Sequence, residues 1–209
     1  MLIHLLSVCC TLKVSICISG RKGEVKMTRF KWIYHLRNVG AALPLLFALI
    51  FDYYESESEY LVWGVGPAIF LIGLAIRIWA QQHLHYRMGI HKQLTTTGPY
   101  RLIRNPLYIA NTLAYVGVTF CSELVWLAPL TLMWGIGVYS LVIRYEEEHL
   151  LNKYGDSYQR YLEEVPRWIP KRIGLRHLGL VNGYLGRTVS VEFACLFGLL
   201  PYVVKEMLG

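Results

Sequence analysis

The apolar residues of this 209-residue chain gather into blocks, several of them long enough to cross a lipid bilayer. A crossing takes ~20 residues as a helix, because each residue rises ~1.5 Å and the hydrocarbon layer is ~30 Å thick. With 55% hydrophobic and 17% charged residues, the chain is too apolar for an ordinary soluble domain. The blocks therefore predict an all-α fold, a polytopic helical membrane protein with about five transmembrane helices. The formal charge of +7 does not point to nucleic acid. The basic residues lie between the apolar runs, the pattern of loops held on the cytosolic side facing anionic headgroups, and no nucleic-acid reader motif is present.

Residues 1–26 read as an uncertain N-terminal extension, either an upstream start or a loosely held segment. Residues 27–209 read as a single membrane domain. Its first span is expected over Val39–Tyr54, kinked at Pro44 and preceded on the cytosolic side by Arg29, Lys31 and Arg37. An acidic connector, Asp52–Glu59, belongs on the far side. The second span, Tyr60–Ala80, returns to a basic connector, Gln81–Asn105. The third and fourth spans, Pro106–Cys121 and Leu124–Ile143, form a hairpin broken near Ser122 and Glu123, with Pro129 placed to bend the fourth. The last apolar run, Val189–Val204, is expected as a fifth span, weakened by Glu192 and Pro201. Cys9, Cys10, Cys17, Cys121 and Cys195 show no zinc spacing and read as buried small hydrophobes. No metal site is expected: His83 and His85, two residues apart, would face away from each other on a helix and read as solvated or interfacial.

The hairpin returns two polar stretches to one membrane face: LTTTGPYRLIRNPLY (Leu94–Tyr108) and RYEEEHLLNKYGDSYQRYLEEVPRWIP (Arg144–Pro170). Asn105-Pro106 is a favoured start for a helix, whose unpaired N–H groups either form an anion site or simply make a well-capped end. Tyr100 and Tyr108 flank that start, placed to stack on a ligand or to anchor at the interface. Of Glu146, Glu147 and Glu148, at most one or two can point inward at ~100° per residue. Arg144 and Glu148 are spaced for a surface ion pair. Gly155 is expected to end that helix as a left-handed αL cap, and Asp156 with Gln159 to form a capping box for a short helix stopped by Pro166.

In this order the two stretches resemble the isoprenylcysteine carboxyl methyltransferase family and its phospholipid methyltransferase relatives. The matching residues run through Leu94, Thr96, Thr97, Gly98, Pro99, Tyr100, Arg101, Arg104, Pro106 and Tyr108. They resume at Arg144, Glu146, Glu147, Leu150, Gly155, Tyr158, Tyr161, Val165, Pro166, Arg167, Ile169 and Pro170. With the lead-in around Gly73–Ala80, the motif core spans residues 73–170. The resemblance implies a multi-pass membrane methyltransferase using S-adenosylmethionine, its site on the cytosolic face under a C-terminal helical cap. The cofactor candidates it transfers are Gln93, Leu94, Thr95, Tyr100, Asn105, Pro106, Tyr108, Glu146 and Glu147, with Arg144 and Glu146 as the catalytic or site-organising pair. The acceptor it implies is a lipid or lipidated molecule, a prenylated cysteine carboxylate or a related lipophilic compound.

One departure bears on mechanism. Asn105 stands where the family carries His, and an amide can bind a ligand but cannot carry a proton near neutral pH. Similar C-terminal patterns occur in nicotinamide-dependent sterol reductases, and Lys153-Tyr154-Gly155 leans that way. The pair Glu146-Glu147 leans back toward methyl transfer. An inactive membrane scaffold is the non-enzymatic alternative.

Overall fold

A computed structural model of the chain describes residues 37, 39–51, 58–85, 93–170, 185–193 and 204. The described elements are helical throughout. They are α1 (Leu43–Ile50), a π-helical turn (Tyr60–Val65) leading into α2 (Gly66–Leu84), and a 3-10 turn (Gly98–Arg101). There follow α3 (Pro106–Cys121), α4 (Leu127–Tyr154), α5 (Asp156–Glu164) and α6 (Leu185–Phe193). The extension 1–26, the basic residues at 29 and 31, most of the acidic connector and residues 194–203 of the expected fifth span lie outside the described residues.

Among the described residues two helical stretches are long and apolar enough to cross a bilayer, Tyr60–Leu84 and Leu127–Tyr154, of 25 and 28 residues. α3 is apolar but has 16 residues. Several boundaries differ from expectation. The first span is interrupted by a turn at Ala42, and α1 proper begins at Leu43 with Pro44 in its first turn, where a missing N–H costs nothing. α2 runs four residues past Ala80, to Leu84. α4 starts at Leu127, so Pro129 also falls in a first turn and has no intrahelical bond to break. α4 would be roughly 42 Å long against roughly 24 Å for α3, at ~1.5 Å per residue. Its last three turns therefore project past the start of α3.

The hairpin turn is tight. Glu123 adopts φ 63°, and the backbone bonds Glu123 N–Phe120 O and Leu127 N–Leu124 O close the reversal. α2 packs antiparallel on α3 through small residues. A Cβ on Gly73 would stand 2.8 Å from Ala110 O and Ala114 N, and one on Gly117 2.6 Å from Phe70 N, so the two backbones touch. α1 lies along α4: Trp134 Nε1 donates to Gly40 O at 2.8 Å, and Phe47 and Phe51 meet Trp126 edge-on beside the hairpin turn. The core fills the seam between these helices with Leu45, Phe70, Tyr108, Val118, Leu124, Tyr139, Val142 and Ile143. Outward, α4 exposes Leu130, Met133, Trp134, Ile136 and Leu141, an apolar band suited to lipid.

Past α4 the chain turns at Gly155, which ends the helix as expected but not as an αL cap, since its φ of 53° goes with a ψ of −130°, a region open to glycine almost alone. The capping box does not form. Asp156 is already inside α5, the cap position is Gly155 itself, and Gln159 reaches Glu163 instead of back to the helix start.

Candidate active site

A cavity opens where α2 ends, α3 begins and α4 leaves the hairpin. Its wall includes Leu94, Thr95, Tyr100, Arg104, Asn105 and Tyr108 from the first polar stretch. From the second come Glu146, Glu147, Leu150, Tyr158 and Tyr161. The hairpin thus brings the two sequence motifs together, because α4 runs back along the whole of α3 and carries Glu146 to the end where that helix begins.

Local chemistry shapes each wall. Pro106 opens α3 as its first residue, and Asn105 precedes it with a backbone that is neither helical nor extended, at φ −128° and ψ 56°. The Asn105 side chain makes no capping bond, and its Nδ2 is buried without a partner. Gly98 takes φ 61°, and a Cβ there would lie 2.5 Å from the ring of His83, so only glycine allows the LTTTGPY turn to seat on α2. His83, expected at a solvated interface, is buried instead, its Nδ1 3.1 Å from Thr97 Oγ1. The turn covers it.

Across the cavity, Tyr108 donates its hydroxyl to Glu146 Oε1 at 2.7 Å, and its ring stacks on Tyr139 with centroids 4.6 Å apart. Thr112 in turn donates to Tyr108 O at 2.8 Å. The neighbouring acid does different work. Glu147 is gripped by Arg104 Nη1 at 3.0 Å and by both Nε and Nη2 of Arg167, and Arg104 N donates to Pro166 O at 2.9 Å. These bonds lock the R-N-P corner to the V-P-R-W-I-P segment. Tyr161 donates to Tyr100 O at 2.7 Å, tying α5 to the same corner. Burial pushes the hydroxyls of Tyr100, Tyr158 and Tyr161 well above the usual tyrosine range, reinforced at Tyr100 by Tyr161 and Glu146. All three stay protonated near neutrality.

Four buried polar atoms on this wall have no hydrogen-bond partner: Thr95 Oγ1, Tyr100 Oη, Arg104 Nε and Asn105 Nδ2. Buried polar groups are ordinarily paired, and here four unpaired ones converge on one cavity.

Other expected residues fall elsewhere. Arg144 is exposed and off the cavity wall, since two residues along a helix turn a side chain by ~200° from Glu146. It makes no ion pair with Glu148 either. Gln93 is exposed and outside the wall, and Pro106 is buried behind it, setting the helix start only. The cations that do line the cavity are Arg37, Arg77, Arg104 and Lys153. In the sequence Arg37 reads only as a topology signal and Arg77 only as part of the lead-in helix. An arginine inside an apolar helix is itself a mark of function, and that signal was present at Arg77.

Residues 62–157 match the family described as phospholipid methyltransferase. The matched stretch, just under half of the chain, runs from the π-helical turn to the start of α5 and contains Thr95, Tyr100, Asn105, Tyr108, Glu146 and Glu147. It excludes Tyr158, Tyr161, Arg167 and all of α6. Two relatives are similar beyond it. The nickel-cobalt-cadmium resistance protein NccN of Alcaligenes xylosoxydans xylosoxydans is 32% identical over 120 residues, 57% of this chain and 54% of its own length. The cobalt-zinc-cadmium resistance protein CzcN of Cupriavidus metallidurans is 31% identical over 156 residues, 71% of this chain and 66% of its own. The chain thus spans less than two thirds of either relative. No solved structure matches.

Proposed function

We propose that this chain transfers a methyl group from S-adenosylmethionine to a membrane-associated lipophilic acceptor. The single observation that supports this most is the set of orphaned polar atoms from the first motif stretch, on a cavity wall that Glu146 of the second stretch completes. A cofactor carrying ribose hydroxyls, ring nitrogens and an amino-acid end offers partners to each of them. When bound, it would supply an electrophilic methyl sulfonium. The prenylated-cysteine carboxylate is the acceptor nearest to the sequence resemblance.

The residues present suit binding and orientation more than proton transfer. The Asn105 amide can donate to an acceptor atom but moves no proton. Tyr100, held neutral by burial, can donate or accept. Glu146, fixed by the Tyr108 hydroxyl, presents its carboxylate to hydroxyl or ammonium donors. The tyrosines and leucines between them exclude water. Methyl transfer from a sulfonium is an in-line displacement, for which positioning and desolvation are the principal demands.

The membrane arrangement that fits this reading has about five spans, with the cavity at the cytosolic surface, since both basic connectors would lie there. A water-soluble cofactor and a lipid-borne acceptor can meet at such a site.

The test is saturable binding of S-adenosylmethionine to the detergent-solubilised chain by titration calorimetry. Binding should vanish in Glu146→Ala and survive in Glu59→Ala, where the carboxylate is exposed. Binding of a nicotinamide dinucleotide in its place would overturn the assignment in favour of a reductase. Labelled methyl donor incubated with membranes would then identify the acceptor by what becomes labelled.

A further inference from the structure

Glu192 lies on α6, outside the matched methyltransferase domain, yet it is 1% exposed and its Oε2 accepts from Arg77 Nε at 2.5 Å. Arg77 Nη1 donates to Asn111 Oδ1 on α3. Arg77 and Asn111 both line the cavity, whereas Glu192 sits behind them. Three helices therefore converge on one guanidinium and hold its plane from two sides.

Such a cluster is expensive. Burying a charge pair away from water costs several kcal/mol per ion before its attraction is counted, and apolar residues of similar volume often serve the fold as well. Charged side chains inside apolar helices characteristically face a cavity and mark a substrate pathway. Arg77 stands seven residues, roughly 10 Å, back from the end of α2. Asn111 likewise stands five residues inside α3. The cluster thus forms the deep wall, while Thr95, Tyr100 and Asn105 form the outer one. The described wall also carries four arginine and lysine side chains against two carboxylates, Glu146 and Glu147.

We infer that Arg77 binds an anionic oxygen group, a carboxylate or phosphate, at the deep end of the cavity, and that Glu192 is the positioning residue that aims it. The inference rests on the cavity being a ligand site and names the chemistry one end of it recognises. The anionic group belongs either to the amino-acid end of the cofactor or to a lipophilic molecule entering from the bilayer. The guanidinium fork suits both sources, because it stays cationic and meets carboxylate and phosphate with paired donors.

The experiment uses the full-length, detergent-solubilised chain and two probe pairs that each differ by an anionic group. S-adenosylhomocysteine is compared with its decarboxylated analogue, which keeps the amine and lacks only the carboxylate, and oleate with oleyl alcohol. Wild type should favour the anionic member of at least one pair by about tenfold, and the pair that discriminates identifies the source. Glu192→Leu, which removes the acceptor that aims the guanidinium, should abolish that preference while leaving the other member's affinity within about twofold, and Glu192→Gln, whose amide oxygen can still accept from Arg77 Nε, should retain it. The double variant Arg77→Met/Glu192→Leu removes both charges from the interior. It should melt close to wild type and still lack the preference, which a merely structural ion pair would not produce.

Wild type without preference in either pair overturns the inference, as does a double variant that keeps the preference. So does a Glu192→Leu loss that is equal for both members of the pair. Failure of every adenosyl probe alongside a discriminating oleate arm would instead overturn the methyl-transfer reading and leave the anion site standing.

Discussion

The Tyr108 hydroxyl and the Glu146 carboxylate meet at 2.7 Å across 38 positions of sequence, joining the start of α3 to the projecting half of α4. The bond holds the acid on the cavity wall. Removing the hydroxyl in Tyr108→Phe keeps the ring stack on Tyr139 but strips Glu146 of a buried donor. A hydrogen bond to a charged group contributes ~1.5–3 kcal/mol, so S-adenosylmethionine affinity should fall by roughly tenfold or more. Unchanged affinity in calorimetry would show that the acid is held by other means.

Gly98 and Gly155 both adopt positive φ, but only Gly98 is also crowded. Gly155→Ala, with nothing within 4 Å of the added methyl, should cost only backbone strain, ~1–3 kcal/mol. Gly98→Ala adds a clash 2.5 Å from the His83 ring and should destabilise more and displace the LTTTGPY turn. Thermal unfolding of the two variants should rank them in that order, with ligand binding lost in Gly98→Ala alone.

Glu147 and Glu148 are adjacent acids with different fates. Glu147→Ala leaves Arg104 and Arg167 without their shared carboxylate. Because Arg167 is about a third exposed, the loss should be ~2 kcal/mol, below that of a fully buried pair. Glu148→Ala, on the exposed face, should change stability by less than ~0.5 kcal/mol. Equal effects in denaturant titration would contradict the packing of Glu147 between the arginines.

Arg144→Ala should leave S-adenosylmethionine affinity within about twofold, because the side chain points away from the cavity. Arg104→Ala should reduce it by tenfold or more, since Arg104 both lines the wall and anchors Glu147. The reverse ranking would restore Arg144 to the site.

Alkaline pH should loosen the site through its tyrosines. Tyr100, Tyr158 and Tyr161 titrate higher folded than unfolded, so above pH ~10 the unfolded chain binds fewer protons than the native one. The slope of stability against pH is then negative, by up to about 1.4 kcal/mol per pH unit for each tyrosine. Their contribution is complete below pH ~10 and falls away as pH rises beyond it. Melting temperatures taken at about pH 8 and about pH 11 should differ, and Tyr158→Phe should narrow the difference. An identical difference in that variant would assign the effect to other groups.

What the sequence by itself determined is the set of features carried by short-range chemistry. Apolar blocks marked α2, α3 and α4. Asn105-Pro106 marked the start of α3, Ser122 and Glu123 the hairpin turn, and Gly155 the end of α4. The order of the two polar stretches marked the family and most of the cavity wall. What only the tertiary structure decided is which side chains face one another. Adjacent acids had identical local signatures, yet Glu147 met two arginines and Glu148 met solvent, because helix rotation against neighbouring elements assigns the facing. Arg144 carried a motif match and turned outward for the same reason. His83 looked interfacial until the LTTTGPY turn folded over it, and Glu192 looked like a flaw in an apolar run until Arg77, 115 residues away, stood within hydrogen-bonding distance. Periodicity and caps act over a few residues, whereas a partner across the fold leaves no mark beside the residue that needs it.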